Sequence, residues 1–208
     1  MDGHLAHTTS GFAAAAGLWF AMTVAMMAPV VTPWVRAYAT LVAPGRAPGE
    51  SPAWAGAFPF IAGYALVWTA FAVAMAALQQ ALVAAGALVG GRVDGVAGAA
   101  LLVGAGAFQF APLKQACLTH CRNPLSYFLA RWRDGAASGL RLGLGHGLFC
   151  LGCCWALMAT ALAMGAMNLW WMALLTLVAI VEQWTPLGLL ASRGVGLALV
   201  GLGVWRLL

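Results

Sequence analysis

Gly145-His146-Gly147-Leu148-Phe149-Cys150-Leu151-Gly152-Cys153-Cys154-Trp155-Ala156-Leu157-Met158 carries no charge and lies within an apolar segment, residues 142–164. As a helix rising about 1.5 Å per residue, that segment reaches across a hydrocarbon core of about 30 Å. Its reading decides the fold, because a run this long and this apolar belongs in a membrane helix. It also carries the chemistry. At about 100° per residue, His146, Cys150, Cys153 and Cys154 fall within one sector of about 100°. Thiolate and imidazole are ligands chosen by soft or borderline metals such as Cu(I) and Zn(II). The competing reading is packing, since a free cysteine often serves as a small buried hydrophobe.

Composition extends the membrane reading to the whole chain. Of 208 residues, 63% are apolar and only 7% are charged, and the mean hydropathy is +0.91. A soluble domain carries about 25% charged residues, so this chain cannot cover a water-facing surface. The expectation is an all-α, polytopic membrane bundle of about six transmembrane helices. Residues 1–12 form a short external tail and residues 13–208 a single transmembrane domain. The formal charge of +5 does not signal nucleic acid, because the basic residues sit in loops between apolar runs. The first apolar run is too long, and lacks a preceding Lys or Arg, for a cleavable signal. Five cysteines, an odd number, rule out complete disulfide pairing within one chain.

Taken in order, the tail holds His4 and His7, either as a disordered end or as an external metal-capture arm. The first span is expected at residues 13–34. Trp19, Met22 and Met26 share a sector of about 60°, with Met27 next; methionines so placed are core filler or Cu(I) thioethers. Pro29 and Pro33 are expected to break the inner end of that helix. A proline- and glycine-punctuated turn over residues 44–52 precedes a second span at 54–84. A glycine-rich turn at Gly90-Gly91-Arg92 precedes a third at 96–113. The polar stretch 114–141 contains Cys117-Leu118-Thr119-His120-Cys121, two thiols at i, i+4 with an interposed histidine. The fourth span, 142–164, has Gly143, Gly147 and Gly152 for close approach of a neighbouring backbone. A fifth is expected at 167–181 and a sixth at 187–205.

With both termini external, the inner segments hold Arg36, Arg46, Lys114, Arg122, Arg131, Arg133, Arg141 and Arg193. Only Arg92 and Arg206 remain outside, the asymmetry expected of cytoplasmic loops. On this topology Met26 and Cys150 both lie ~12–14 Å inside the cytoplasmic edge. Met22, Met26, Cys150, Cys153 and Cys154 are thus expected around one site, provided that the first and fourth spans are neighbours. Cys117, His120 and Cys121 are expected at a second station nearer the cytoplasm. The inward-running helices end at Pro33, Pro112 and Pro186, which points to an irregular vestibule on that side. Glu182 at this level is either a functional acid or an interfacial partner of Lys114 or Arg193.

Four stretches, in order, carry a resemblance. They are Met22-Thr23-Val24-Ala25-Met26-Met27-Ala28-Pro29, Phe108-Gln109-Phe110-Ala111-Pro112-Leu113-Lys114 through Cys117 and Cys121 to Arg122-Asn123-Pro124-Leu125, Gly147 through Met158, and Gly165-Ala166-Met167-Asn168-Leu169 through Glu182 and Pro186. The chain resembles a bacterial family of unknown function described as predicted metal-binding integral membrane proteins. That resemblance implies a metal-binding protein of the bacterial inner membrane. The family usually shows Tyr and Thr where this chain has Phe108 and Ala111, and Lys where it has Gln183. A role resting on that hydroxyl or that ammonium does not carry over.

The leading expectation is a soft-metal membrane protein, above all for Cu(I), acting in transport, storage or delivery. Its candidate ligands are Cys150, Cys153, Cys154, His146, Cys117, Cys121, His120, Met22, Met26 and Met27. Its partners are the lipid bilayer, the metal ion and a membrane or metallochaperone protein. Zinc is a weaker alternative, and so is haem on His120 and His146. Two other classes stay open. One is a membrane thiol-disulfide oxidoreductase using Cys117/Cys121 and Cys150/Cys153. The other is a structural or accessory subunit whose cysteines only pack. Binding is expected rather than catalysis, since the expected topology puts these thiols on the reducing side or within the bilayer, without an external pair.

Overall fold

The computed structural model describes residues 2–42, 56–89, 91–133, 136–165 and 168–208. The side chains of His4 and His7 and the turn over residues 44–52 lie outside that set. The chain forms an all-α bundle: α1 Asp2–Val42, α2 Phe58–Ala84, α3 Gly95–Phe108, α4 Pro112–Cys121, α5 Pro124–Arg131, α6 Ala136–Ala159, α7 Ala161–Met164, α8 Leu169–Trp184 and α9 Gly188–Trp205. A two-stranded antiparallel ribbon, β1 Leu88–Val89 with β2 Arg92–Val93, joins α2 to α3.

Among the described residues, four helices are long and apolar enough to cross a membrane: Gly11–Val42 within α1, α2, Ala137–Met164 covering α6 and α7, and α9. The α3–α4 pair passes the same test only if its 62° bend is counted as one broken span. At 16 residues, α8 falls short of the roughly 20 needed to cross alone. Of the six expected spans, then, four are plain, one is bent and one is short.

Small residues set the central seam. Helix α2 packs along α6, and Gly143 sits directly against the Phe60 carbonyl. Opposite it, a Cβ on Gly63 would lie 2.8 Å from the Leu144 nitrogen. Neither position has room for a side chain, so the two backbones touch, as small residues permit between membrane helices. Helix α3 meets α9 in the same way through Gly106 and Gly196. Helix α1 rests on α2 and α8, and α4 lies along α6.

Two expectations change here. Pro29 and Pro33 do not end the first helix, which runs through both to Val42. A proline weakens the helical bonding of the turn before it. In that turn the Val30 carbonyl accepts from the Trp184 indole at 3.4 Å, so a neighbouring helix supplies a donor, as in other proline-containing membrane helices. The polar stretch 114–141 is largely helical, and its basic residues are not all at the surface. Pro112 starts α4 after an extended Ala111, the conformation that a following proline imposes. The bend turns α4 back against α6. Lys114, counted above among topology-setting cations, is fully buried in an ion pair with Glu182.

Candidate metal centre

One face of α6 builds the centre. Cys150, Cys153 and Cys154 are buried, and their sulfurs lie within 4.8 Å of one another. The Cys153 and Cys154 sulfurs are 3.3 Å apart. The Cys153 thiol also donates to the Cys150 carbonyl at 3.1 Å. A fourth sulfur arrives from α4, since the Cys121 Sγ is 4.0 Å from that of Cys153. All five cysteines are free thiols. At a metal–sulfur distance of about 2.3 Å, trigonal ligands sit about 4.0 Å apart and tetrahedral ones about 3.8 Å. The spacings of Cys150, Cys153 and Cys154 are close to these values, and Cys121 stands at such a distance from Cys153.

The expected second station dissolves. Cys121 joins the α6 thiols because the bend at Pro112 lays α4 beside α6. Cys117, one turn earlier, packs its sulfur against Gly152, where an added Cβ would approach it to 2.7 Å. His120 falls on another side of α4: its ring stacks on Phe149 with centroids 4.1 Å apart, and its Nε2 is 3.1 Å from an Arg131 nitrogen. Within this one short helix, Cys117 therefore packs on Gly152, His120 on Phe149 and Arg131, and Cys121 beside Cys153.

Two polar side chains reach the sulfurs. The Gln183 amide nitrogen from α8 stands 3.5 Å from Cys154 and 3.9 Å from both Cys150 and Cys153. Its Oε1 is buried without a hydrogen-bond partner. From α2, the Tyr64 hydroxyl lies 3.4 Å from the Cys150 sulfur. Sequence reasoning missed Tyr64, which shows no motif and becomes legible only once the α2–α6 seam is known. Gln183 was noted only as a departure from the resembled family.

His146, one turn before Cys150, is buried and stacked on Trp34 at 3.7 Å with the planes 17° apart. Phe60 and Tyr64 complete its aromatic surroundings. Its Nε2 has no partner, an arrangement costing about 1–3 kcal/mol when buried. The imidazole thus sits on the sulfur face with a nitrogen to spare. Met22, Met26 and Met27 are buried in the same continuous core as the four clustered cysteines. Their helix, however, packs on α2 and α8, so the expected pairing of the first and fourth spans is not the main contact. Met27 lines a small apolar cleft of ≈150 Å³ beside Phe20, Thr23 and Trp68.

Beneath the thiols lies a closed polar network. Lys114 Nζ meets the two Glu182 carboxylate oxygens at 2.8 and 3.0 Å and also donates to the Gln109 carbonyl oxygen. Ser192 donates to the same Gln109 oxygen at 3.2 Å, and the Gln109 amide donates to Ala105. Of the two partners weighed for Glu182, Lys114 is the one it meets. The pair ties α4, which carries Cys121, to α8, which carries Gln183.

On the side towards the ends of α4 and α8, a cavity of ≈360 Å³ opens onto the cluster, lined by Trp34, Cys121, Arg122, Gln183 and Trp184. Of the three prolines from which a vestibule was expected, Pro33 lines this cavity, together with Pro124. A separate cavity of ≈450 Å³ is lined by His120, Asn123, Tyr127 and Arg131. Burial pushes the Tyr127 hydroxyl above its usual range, with the Arg131 guanidinium pulling it down.

A family model described as PpoB2, copper chaperone, matches residues 16–206. No curated protein and no solved structure matches the chain.

Proposed function

The chain belongs to the family described as PpoB2, copper chaperone, and from that premise we propose that it carries Cu(I) on Cys121, Cys150, Cys153 and Cys154 inside a bundle of the bacterial inner membrane. The observation that carries this reading is the convergence of four buried free thiols from two helices. Soft sulfur ligands favour Cu(I) over hard cations, and no carboxylate joins the sulfurs. The ion is cargo: it is accepted, shielded from water and passed to an acceptor protein. Both termini face outward, and the Arg-bearing ends of α4 and α5 face the cytoplasm.

His146, whose Nε2 is buried without a partner, is a further nitrogen ligand on offer from the same helix face. The amide of Gln183 and the hydroxyl of Tyr64 direct hydrogen bonds at the sulfurs, which stabilises thiolate charge in a site without water. Zinc, which takes four tetrahedral ligands, is the competitor to test directly.

Anaerobic loading of the purified protein with Cu(I), followed by removal of loosely held ion, is the experiment. The expected result is about one equivalent retained by the wild type, and less than about a tenth of that by Cys150→Ala/Cys153→Ala. X-ray absorption is expected to show sulfur neighbours. Retention below about a tenth of an equivalent by the wild type, or unchanged retention by the double variant, refutes the reading. So does exclusive binding of Zn(II).

A further inference from the structure

The four clustered thiols are not equivalent. Three sit on α6 behind Gln183, while Cys121 lines the ≈360 Å³ cavity together with Arg122, Gln183 and the indoles of Trp34 and Trp184. Two independent features mark that cavity as built to receive something. The Gln183 Oε1, on a residue that is 6% exposed, has no hydrogen-bond partner. The rim also carries positive charge: Arg122 gives one nitrogen to the Thr185 carbonyl at 2.7 Å, and among the described residues no acidic side chain lines the space. The walls are rigid. Trp34 is fixed by its indole bond to the Cys121 carbonyl at 3.0 Å, and Trp184 by its bond to Val30.

We infer that this cavity is a loading port for Cu(I) bound to a small, carboxylate-bearing thiol, with Cys121 as the entry thiol and Arg122 as the residue that selects the anionic carrier. The inference rests on the Cu(I) reading above. The volume is at the small end of the range for ligand pockets, so it admits a low-molecular-weight thiol and excludes a folded donor domain. The exchange involves no redox change. A carrier holding Cu(I) between two thiolates enters, and a copper–sulfur bond to Cys121 forms as one carrier copper–sulfur bond breaks. The Cys121 proton leaves with the departing carrier thiol. Cys153, 4.0 Å from Cys121, replaces the second carrier thiolate in the same way. Copper stays monovalent and the net charge of the bound complex is conserved.

Alkylation of the apo protein tests the port without copper. In full-length Cys117→Ser protein, the Cys121 thiol is expected to react with iodoacetamide about tenfold faster than Cys150, Cys153 or Cys154, because reactivity follows access. Iodoacetate reports the charge at the rim. Arg122→Gln is expected to slow iodoacetate at Cys121 about threefold, the effect of one charge at about 6 Å in water. The same variant slows iodoacetamide less, because loss of the cation lowers the thiolate fraction for both reagents alike, so the readout is the fall in the iodoacetate-to-iodoacetamide rate ratio, which Arg122→Lys retains. Equal labelling of all four thiols, or equal slowing of both reagents, overturns the port. A final arm loads Cu(I) from its glutathione complex, where Arg122→Gln is expected to slow uptake with the final stoichiometry unchanged. Uptake as fast as the wild type's refutes carrier selection. Absence of copper from every variant would instead sink the functional reading, while the alkylation result still stands for the cavity.

Discussion

Replacing Lys114 by methionine removes the ammonium that holds α4 to α8 and leaves the Glu182 carboxylate buried alone. Both side chains are fully enclosed, with Nζ–O distances of 2.8 and 3.0 Å. Gln109 is not orphaned, because its carbonyl oxygen keeps the Ser192 hydroxyl at 3.2 Å. The cost is therefore that of one unpaired buried charge, about 3–5 kcal/mol. For a chain of this size that corresponds to a fall in melting temperature of about 6–20 °C. Glu182→Met strands the ammonium and is expected to cost a similar amount. The double variant buries two thioethers of comparable volume and no charge, so its cost is about 0–2 kcal/mol. Thermal unfolding of the four proteins in one detergent measures the cycle. The expected order puts the double variant above either single variant. Additive losses, or single variants within about 1 kcal/mol of the wild type, would refute the account of the pair as a mutually dependent clamp.

Four further outcomes are expected. Tyr64→Phe removes one hydrogen bond to the Cys150 sulfur, so Cu(I) affinity in competition with a chromogenic chelator falls about five- to tenfold while apo stability changes by about 1 kcal/mol or less. Gly143→Ala drives a methyl into the Phe60 carbonyl and lowers the melting temperature by the equivalent of about 3 kcal/mol; Gly104→Ala, with open space around it, leaves it unchanged or raises it, and the reverse order would contradict the α2–α6 seam. His120→Ala leaves copper stoichiometry at the wild-type value, because the ring is engaged by Phe149 and Arg131. Loading of Cu(I) from a non-thiol, non-protonated complex releases about two protons per copper in weak buffer, and a count near four would contradict the charge argument below.

Much of the fold was legible in composition and periodicity, and for physical reasons. A chain with 7% charged residues has few alternatives to burying apolar helices in lipid. Gly143, Gly147 and Gly152 marked where neighbours touch: Phe60, Val67 and Cys117 lie against them. The sector shared by His146, Cys150, Cys153 and Cys154 is one buried face. Relations between helices were not legible. Periodicity places residues on a face but does not say which helix covers it, so Tyr64 went unseen, and the main neighbours of the helix that carries Met22 and Met26 could not be read. The bend at Pro112 had the largest consequence. It turns a stretch rich in Lys and Arg back into the bundle, brings Cys121 to the α6 sulfurs and hides Lys114. Its charge count resembled a cytoplasmic loop because hydropathy does not record that Glu182 is waiting on another helix.

Charge limits what this centre can hold, and that limit bears on function. One Cu(I) on two thiolates carries one net negative charge, and each further thiolate adds another. At buried sulfurs, every uncompensated charge costs several kcal/mol. The nearest buried cation that could balance it, Lys114, is already consumed by Glu182. What faces the sulfurs is neutral: the Gln183 amide and the Tyr64 hydroxyl. Neutral donors stabilise one net charge better than they could stabilise three. Two thiols are therefore expected to ionise while the other two stay protonated beside the ion. Those spare thiols, 3.3–4.0 Å from a neighbouring sulfur, are incoming ligands already in place. An ion bound by two partners, with two more within a small rotation, can move from Cys121 inward or back out without passing through a bare state. On the proposed reading, a surplus of thiols over the charge the bundle tolerates would reconcile protection of Cu(I) with its release.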